Sequence, residues 1–481
     1  MTLTLCPAPD VQPQNQRGAA MNSAMRAAMP FLRSIALSTV LLLGPYSLSA
    51  AGNALVWRGS VETDHRLLLE DERDWAWNEN RLDLSMEKRG SQLRVLSNVW
   101  LRHLKPPAVT SSEDLFSKDR VSPWNLDVRE LHVEVYGFLS DRLDLKVGRQ
   151  RIAWGTADRF NPTDNLNPPD LEDLLDFGRA NGSDALNLHW HIDHQHAVQL
   201  VCIPRFQPAN LPLGPFAGLF GIDSGWNSPH GDMLTPVTSK HIDLPRNNLS
   251  EGSTLGMRWT TYGRRADISL SYVYGRAFLP LPVRIEIELD ETGASMHSRA
   301  HLEYPRHHVI GADLAGSIGR VGAWAEAGVF IPESAVHTLI TADALGWHEQ
   351  ITALEKEPYV KFVLGGDYTF SGGTYLNLQY LRGFLHESGR DELNDYLFVQ
   401  VERDIRRFDL NLKPLAAGLT MGDWEDARNN YTWFYRPEVS YQGIDNLDIT
   451  LGAFLAQGKG EHLLAQLKGK NMLHLKVTAH F

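Results

Sequence analysis

The chain has 481 residues, 43% of them hydrophobic, which fits either several soluble domains or a membrane protein. Its 46 basic and 58 acidic residues give a net charge of -12, so the sequence offers no broad basic face for nucleic acid. Composition therefore excludes nucleic-acid binding, and the pattern along the chain has to separate the membrane class from the soluble class.

The first 51 residues have the pattern of a leader that is removed after export. Residues 34–43 form a strongly apolar run that is shorter than a membrane-spanning helix and follows Arg26 and Arg33. Small residues follow this run, as they do before a cleavage site. We predict a leader over 1–51, with a signal peptide over about 25–51, whose cleavage leaves a single domain over 52–481.

Beyond the leader, apolar and polar residues alternate in segments of about ten residues. Clear examples occur at 81–87, 130–135, 267–274, 376–380 and 447–453. Successive side chains of a strand point to opposite faces, and a membrane-spanning barrel needs one apolar face and one polar face. The alternation therefore predicts an all-β fold, a transmembrane antiparallel β-barrel.

Short and long connections alternate between these segments. Tight turns are predicted near 89–90, 140–141, 194–195, 263–264, 319–320, 371–372, 404–405 and 443–446. Longer, irregular loops are predicted at 104–126, 154–183, 207–252, 278–305, 332–356, 385–393, 419–426 and 456–469. With a first strand near 55–69, the count is about 18 strands, with 16 as the alternative. Both termini are predicted to be periplasmic and the long loops extracellular.

The most distinctive segment leaves the strand that ends near Ile152. It reads Gly148-Arg149-Gln150-Arg151-Ile152-Ala153-Trp154-Gly155, and after Asp158 it continues with Asn161-Pro162-Thr163-Asp164 and Asn167-Pro168-Pro169-Asp170. It resembles the Gly-Arg-Gln…Trp-Gly…Asn-Pro segment of a family of proteobacterial outer-membrane barrels of unknown function, and more loosely the alginate-export and specific-porin barrels. The resemblance implies a porin-like or export-channel role and fixes no solute.

The two Asn-Pro-x-Asp repeats predict turns, because Asn and Asp bond their own backbone and Pro fixes φ. Asn167 could also cap a short helix that begins at Pro168 and ends at Gly178, with acidic residues in its first turn. The alternative is a cation site, since clustered carboxylates suit hard cations such as Ca²⁺. Its ligands would be Asp164, Asp170, Glu172 and Asp173.

The direction of two arginines in this segment is open. Arg149 and Arg151 are in phase with Leu145 and Val147, which aims them at lipid. A bulge at Gly148 would reverse the register and turn them into the pore.

Two further segments have more than one reading. The turn at 194–195 is flanked by His189, His191, His194 and His196, which could bind Zn²⁺ or Cu²⁺ but also fit a polar lumen face, and we predict no metal site. The loop 207–252 is the longest and is rich in Pro and aromatic residues. We expect it to constrict the barrel or to contact neighbouring subunits.

Charges of both signs fall on the predicted lumen face, with acidic residues in the majority. The pore-lining or substrate candidates are Arg94, Arg102, Glu130, His132, Glu134, Lys146, Arg151, Arg258, Glu326 and Lys361. Rings of like charge select ions, whereas this mixture favours polar or weakly cationic solutes. About half of the charges are expected to pair as structural salt bridges.

The last strand, 473–481, alternates cleanly and ends the chain on Phe481. A terminal Phe after such a strand resembles the C-terminal signature that the barrel-assembly machinery of bacteria reads. We therefore predict an outer-membrane protein of a Gram-negative bacterium that contacts this machinery, membrane lipid and lipopolysaccharide.

The predicted function is a channel, or porin, that passes polar or charged small solutes and needs no cofactor. It could form a homotrimer. An alternative is a barrel that sheathes or exports a secreted polymer or a partner protein. An enzyme is less favoured, because Ala315-Gly316-Ser317-Ile318-Gly319 lacks the first Gly of a nucleophile turn and fits a hairpin instead.

Overall fold

The computed structural model describes the barrel domain in nearly its full length. Described are residues 55–69, 74–105, 109, 111–176, 178–213, 216, 237–289, 296–460 and 462–481. The leader, and most of the part of loop 207–252 that was expected to constrict the barrel, lie outside the described residues. The signal peptide and that constriction therefore stay predictions.

Within the described ranges the regular secondary structure is almost all strand. The strands are β1 (Leu55–Leu68), β2 (Trp75–Arg89), β3 (Leu93–Leu104), β4 (Trp124–Val135), β5 (Leu143–Gln150), β6 (Ser183–His191), β7 (His196–Ile203), β8 (Val237–Asp243), β9 (Thr254–Tyr262), β10 (Ala266–Arg276), β11 (Leu281–Leu289), β12 (Met296–Glu303), β13 (Arg306–Ile318), β14 (Val321–Pro332), β15 (Val336–Ala342), β16 (Trp347–Leu354), β17 (Tyr359–Thr369), β18 (Thr374–Arg382), β19 (Asp395–Ile405), β20 (Leu410–Met421), β21 (Tyr431–Tyr435), β22 (Glu438–Ile444), β23 (Leu447–Lys459) and β24 (Met472–His480).

Short helical turns occur in the connections, at Glu113–Phe116, Lys118–Val121, Leu249–Gly252, Asp343–Leu345, Arg406–Phe408 and Leu463–Leu467. Among the described residues, no helix is long and apolar enough to cross a membrane.

The barrel wall is a closed antiparallel sheet with eighteen strand positions. It contains every strand except β8, β11, β12, β15 and β16. The consecutive strands β21 and β22 share one position beside β20, and they are separated at Pro437, which has no N–H to donate to the ladder. Closure comes from β1, which pairs with β24 from Ser60 opposite His480 to Leu68 opposite Met472. The predicted 18-strand barrel is confirmed.

Alternation sets which side chains face outward. In β24 the outward Leu473 is 45% exposed and the neighbouring inward His474 only 5%. In β17 the outward Leu364 is 50% exposed, whereas the inward Val363 is fully buried. Exposed apolar side chains recur around the wall, as a barrel that contacts lipid requires.

Short turns lie at one end of the barrel and long loops at the other. Seven of the eight predicted tight turns fall at junctions between consecutive wall strands, and the eighth, 404–405, comprises the last two residues of β19, directly before such a junction. The predicted alternation of connections is confirmed. Both the start of β1 and the end of β24 lie at the short-turn end. Leu55 pairs with Lys88, which is next to the turn between β2 and β3. The His480 N–H donates to the carbonyl of Asn446, in the turn between β22 and β23, at 2.8 Å. That this end is periplasmic stays a prediction.

The long loops are more regular than the sequence indicated. Strands β8, β11, β12, β15 and β16, which come from three different loops, form one mixed five-stranded sheet in the order β16-β15-β11-β12-β8. Its apolar side is buried, with Ile285, Ala300 and Ile340 at its centre. The expectation of irregular structure at 207–252, 278–305 and 332–356 is therefore wrong. The physical reason is that the sheet is completed by pairings between loops, β8 with β12 and β11 with β15, and local pattern cannot reveal such long-range pairing.

The interior is not polar throughout. An apolar cluster fills part of it, where inward side chains of the wall pack against side chains of the loops. Its buried members include Leu174, Leu175, Val363, Leu381, Phe384, Tyr396, Phe454, Leu464, Leu467 and Met472. Loop segments therefore occupy part of the interior of the barrel.

Candidate functional site

The segment 151–182, which connects β5 to β6, folds into the barrel and is called the crossing loop below. The Trp-Gly pair of the distinctive motif lies near its start. Trp154 is 1% exposed, and its indole Nε1 donates a hydrogen bond to Gln199 of β7 at 2.9 Å. Gly155 has φ +93°, and a Cβ there would lie 2.5 Å from a carboxylate oxygen of Glu326. The motif needs glycine here because the chain passes directly over that carboxylate.

Glu326 of β14 is the anchor of the first half of the crossing loop. Its carboxylate accepts hydrogen bonds from the backbone N–H of Thr156 at 3.0 Å, of Ala157 at 3.2 Å and of Thr163 at 2.8 Å. The Thr163 hydroxyl adds a fourth at 2.8 Å. A carboxylate that is only 2% exposed is tolerated when its oxygens are bonded in this way. The predicted pore-lining candidate Glu326 thus lies under the loop and holds it.

Asn167 of the second Asn-Pro repeat joins the beginning and the end of the crossing loop. Asn167 accepts a hydrogen bond from the Ile152 N–H at 2.7 Å and donates to the carbonyl oxygens of Gln150, at 3.2 Å, and Asn181, at 3.0 Å. The described residues from 168 to 176 form turns and bridges rather than a helix. The helix that Asn167 was predicted to cap is therefore wrong, and the side chain ties the two ends of the loop together.

The acidic residues of the second repeat bind arginines of the wall. Asp173 pairs with Arg66 of β1 at 2.5 Å, and Asp170 pairs with Arg129 of β4 at 3.0 Å. Burial alone would raise the pKa of Asp173, but the Arg66 guanidinium outweighs it and holds this pKa well below its usual range.

Glu172, the third acidic residue, pairs with Arg102 of β3 at 2.7 Å, and Arg179 of the loop itself pairs with Asp170 at 2.9 Å. The described residues contain no group of three or more side chains that could hold a metal ion. The cation-site alternative is therefore wrong for Asp170, Glu172 and Asp173, since arginines occupy their oxygens.

The guanidinium groups of this network surround one aromatic ring. Trp100 of β3 has Arg129 at 4.2 Å, Arg81 at 4.3 Å, Arg179 at 5.5 Å and Arg102 at 5.9 Å from its ring centre. The negative face of an indole attracts cations, most strongly where water is excluded. The ring therefore helps to hold several like charges close together beside the loop.

The crossing loop also reaches the opposite wall. The Asp158 N–H donates to the Gln379 side chain at 3.1 Å, and that side chain donates back to the Asp158 carbonyl at 3.1 Å. A further bond runs from Arg436, between β21 and β22, to the Leu175 carbonyl. Gln379 lies on β18, eight positions from β5 in a wall of eighteen. The loop therefore spans the interior from side to side.

Two cavities flank the crossing loop. The smaller, of about 330 Å³, lies toward the short turns and is lined by Lys146, Asn187, His189, Gln199 and Arg258 among others. The larger, of about 660 Å³, lies toward the long loops. Arg151 lines both. Arg151 therefore lies between the two cavities.

The two arginines of the motif, Arg149 and Arg151, lie in different surroundings. Pairing of β5 with β4 and with β6 runs through Gly148 without a shift, so Arg149 stays in phase with the outward Val147. Its Nε donates to the Val128 carbonyl at 2.6 Å. A bulge occurs instead in the pairing of β3 with β4, the strand next to β5, where the register shifts after Asn98. Arg151 lies beyond the end of β5 and lines the cavities.

Gly148 itself is required by a close approach of the chains. Its φ is +120°, and a Cβ there would lie 2.4 Å from the Leu131 carbonyl oxygen. We expect Gly148→Ala to destabilise the barrel by about 1–3 kcal/mol, because the overlap is with backbone and the φ is strained. The measurement is the folded fraction on gels without heating. Gly372→Ala is the control, since a Cβ at Gly372 meets nothing within 4 Å; equal yields for the two variants would contradict this.

The other predicted lumen residues form pairs along the wall. Arg94 pairs with Glu87 at 2.9 Å and with Glu134 at 3.2 Å, and Arg258 pairs with Asp313 at 3.0 Å. Two others lie close to the start of the crossing loop: Glu130 accepts the Arg151 N–H at 3.1 Å, and His132 is buried beside Gly148.

The four histidines near 194–195 do not converge. His189 lines the smaller cavity, His191 contacts Asp144 at 3.1 Å, and His196 stacks on Trp259 with a centroid distance of 5.8 Å.

Several residues of the site were missed by sequence analysis. Arg66, Arg129, Arg179 and Gln379 all hold the crossing loop, yet none was a candidate. The signal for Arg66 was present, because Glu62, Asp64 and Arg66 alternate along β1 as an inward polar face would. Their partners lie far away in the sequence, so no local pattern could show what they bind.

The fold is similar to that of several proteins of solved structure. OccAB1 of Acinetobacter baumannii matches with a TM-score of 0.50 at 8% identity, covering 91% of this chain and 99% of that one. OccAB3 of the same organism matches with 0.48 at 8%, covering 89% and 99%, and its outer membrane channel DcaP with 0.39 at 10%, covering 90% and 99%. At such identities the likeness to OccAB1 shows the barrel fold alone. No protein-family model matches the chain, and no curated protein does; the family resemblance of the motif stays a prediction.

Proposed function

We propose that the protein is an outer-membrane channel for small polar or charged solutes whose narrowest part is formed by the crossing loop. The observation that carries this proposal is that the loop is bonded to opposite sides of the wall and has a cavity on each side. A fixed segment across the lumen leaves a narrow path that only small molecules can follow. The exposed apolar belt of the wall supports a membrane location.

The alternative of a sheath for a polymer or a partner protein fits less well. A sheath needs an unobstructed lumen, and here the crossing loop and the apolar cluster occupy it. Phe481 as the assembly signal and contact with lipopolysaccharide are part of the proposal. Homotrimer formation belongs to it as well, and would appear as three conductance steps for each insertion.

The test of the channel is electrical. The purified mature chain in a planar bilayer should give stable single-channel steps in KCl, and liposomes that contain it should swell in small sugars but not in large ones. A folded, inserted barrel with no conductance and no swelling would overturn the proposal. An empty-liposome preparation is the control for leakage.

A further inference from the structure

The larger cavity combines basic side chains with an apolar wall. Aromatic and aliphatic side chains line one part of it, namely Phe160, Phe278, Phe330, Tyr359, Leu381 and Leu385. The basic groups are Arg151, Arg159, Arg179 and Lys361. Its volume of about 660 Å³ lies within the range of sites that bind small organic molecules.

Lys361 is a buried cation whose charge is not neutralised by an ion pair. Its side chain is 4% exposed, and its Nζ donates to the Phe384 carbonyl at 2.7 Å. It also lies 5.1 Å from the ring centre of Phe330 and 5.9 Å from that of Tyr359. In the described ranges no carboxylate lies within ion-pair distance of it. A carbonyl and two ring faces stabilise the ammonium group. Glu387 also acts on its charge, but from beyond ion-pair distance, so Lys361 remains a basic group in the lining of the cavity.

Two arginines add to this charge, while a third does not. Arg151 donates to the Gly178 carbonyl at 3.0 Å, and neither Arg151 nor Arg159 has an ion pair with any residue that the structure describes. Arg179 is different, since Asp170 neutralises it. Arg151 also lines the smaller cavity beside Lys146, which likewise has no ion pair within the described residues.

One acidic residue, Asp164, is found among the described residues that line the larger cavity. Its Oδ1 is shielded from solvent and has no hydrogen-bond partner within the described residues. Burial raises the pKa of Asp164 to about 7, although the Arg151 charge opposes the shift. Burial therefore favours the uncharged form of this carboxyl, which reduces its opposition to the basic charge of the cavity.

We propose that the larger cavity is a saturable binding site for an organic monoanion with an aromatic or aliphatic body, a carboxylate for example. The body packs against the ring of Phe330 and its neighbours, and the anionic group meets Lys361 and Arg151. Arg151 then gives access to the smaller cavity, where Lys146 is the next cation. This inference rests on the proposed channel function and names its solute class.

The inference differs from the weakly cationic solutes that the sequence favoured. That expectation took about half of the inward charges as paired and could not tell which ones, whereas the structure shows Asp313, Glu134 and Glu438 bound to basic side chains. Among the described residues that line the two cavities, Asp164 is the one acidic side chain, and the other charged groups without an ion pair are basic.

The experiment measures binding to the folded full-length barrel in detergent by titration calorimetry. The probes are 2-naphthoate and its neutral counterpart 2-naphthamide. Naphthoate should bind saturably and at least about tenfold more tightly than the amide, since a charge-assisted hydrogen bond is stronger than a neutral one. Lys361→Met and Arg151→Gln should each weaken naphthoate binding about tenfold and leave the amide unaffected. Lys413→Met is the matched control, because Lys413 already pairs with Glu438.

Three results would overturn the inference: no saturable binding of naphthoate, equal affinity for the amide, or naphthoate affinity unchanged in both variants. If Lys361→Met does not fold, Arg151→Gln decides, since Arg151 is exposed. KCl conductance is measured on the same samples. Conductance without naphthoate binding contradicts this inference alone, whereas binding without any conductance contradicts the channel and leaves the site standing.

Discussion

Removing residues 156–165 of the crossing loop and joining the ends with two glycines should raise the single-channel conductance about threefold or more. An 18-strand barrel is wide enough for an aqueous channel, so the conductance is limited by what lies across it. The ends can be joined because the side chains of Trp154 and Leu166 meet over Gly256, where an added Cβ would lie 2.9 Å and 3.0 Å from them. The measurement is the step size in KCl across a planar bilayer.

The control for this deletion is the removal of residues 112–121 from the loop between β3 and β4. Both deletions remove ten residues, but most of residues 112–121 are exposed. Their loss should leave the conductance unchanged. A step size equal to wild type after deletion of 156–165 would mean that the narrowest part of the pathway lies elsewhere, with the loop 207–252 as the next candidate.

Arg66→Met should lower the free energy of unfolding by about 3–5 kcal/mol, the usual cost of removing one partner from a buried ion pair. Arg66 binds Asp64 at 2.6 Å and Asp173 at 2.5 Å, and all three side chains are buried. Without the guanidinium, two buried carboxylates would lose the cation that is bonded to them. Unfolding in urea, followed by tryptophan fluorescence in lipid vesicles, measures the loss.

Arg89→Met is the control for the stability measurement. Arg89 pairs with Glu87 at 2.9 Å, but its side chain is 62% exposed, so the cost should be about 1 kcal/mol or less. Adding Asp173→Asn to Arg66→Met should recover part of the stability, because one of the uncompensated charges is then gone. If Arg66→Met cost no more than Arg89→Met, Arg66 would not be a fastening point of the loop.

The sequence by itself determined the barrel. Alternation of apolar and polar residues can be read from neighbouring positions. Many consecutive strands, each with one apolar and one polar face, are compatible with few folds. The strand count, the eight tight turns and the position of the long loops follow from that pattern, and the structure agrees with each. The sequence also singled out the segment from Gly148 to Asp170, whose glycines and Asn167 proved to shape the crossing loop.

Only the tertiary structure decided where that segment goes and which charges remain free. Thr163 meets a carboxylate 163 positions away in the sequence, and Asp173 meets a guanidinium 107 positions away. Such pairs form because barrel closure brings distant strands to a common interior. In a low-dielectric interior an unpaired charge is costly, so most buried charges have a partner, and those without one are candidates for binding a charged ligand. The inward charges could be counted beforehand, but their partners could not. The basic character of the cavities therefore emerged only with the fold.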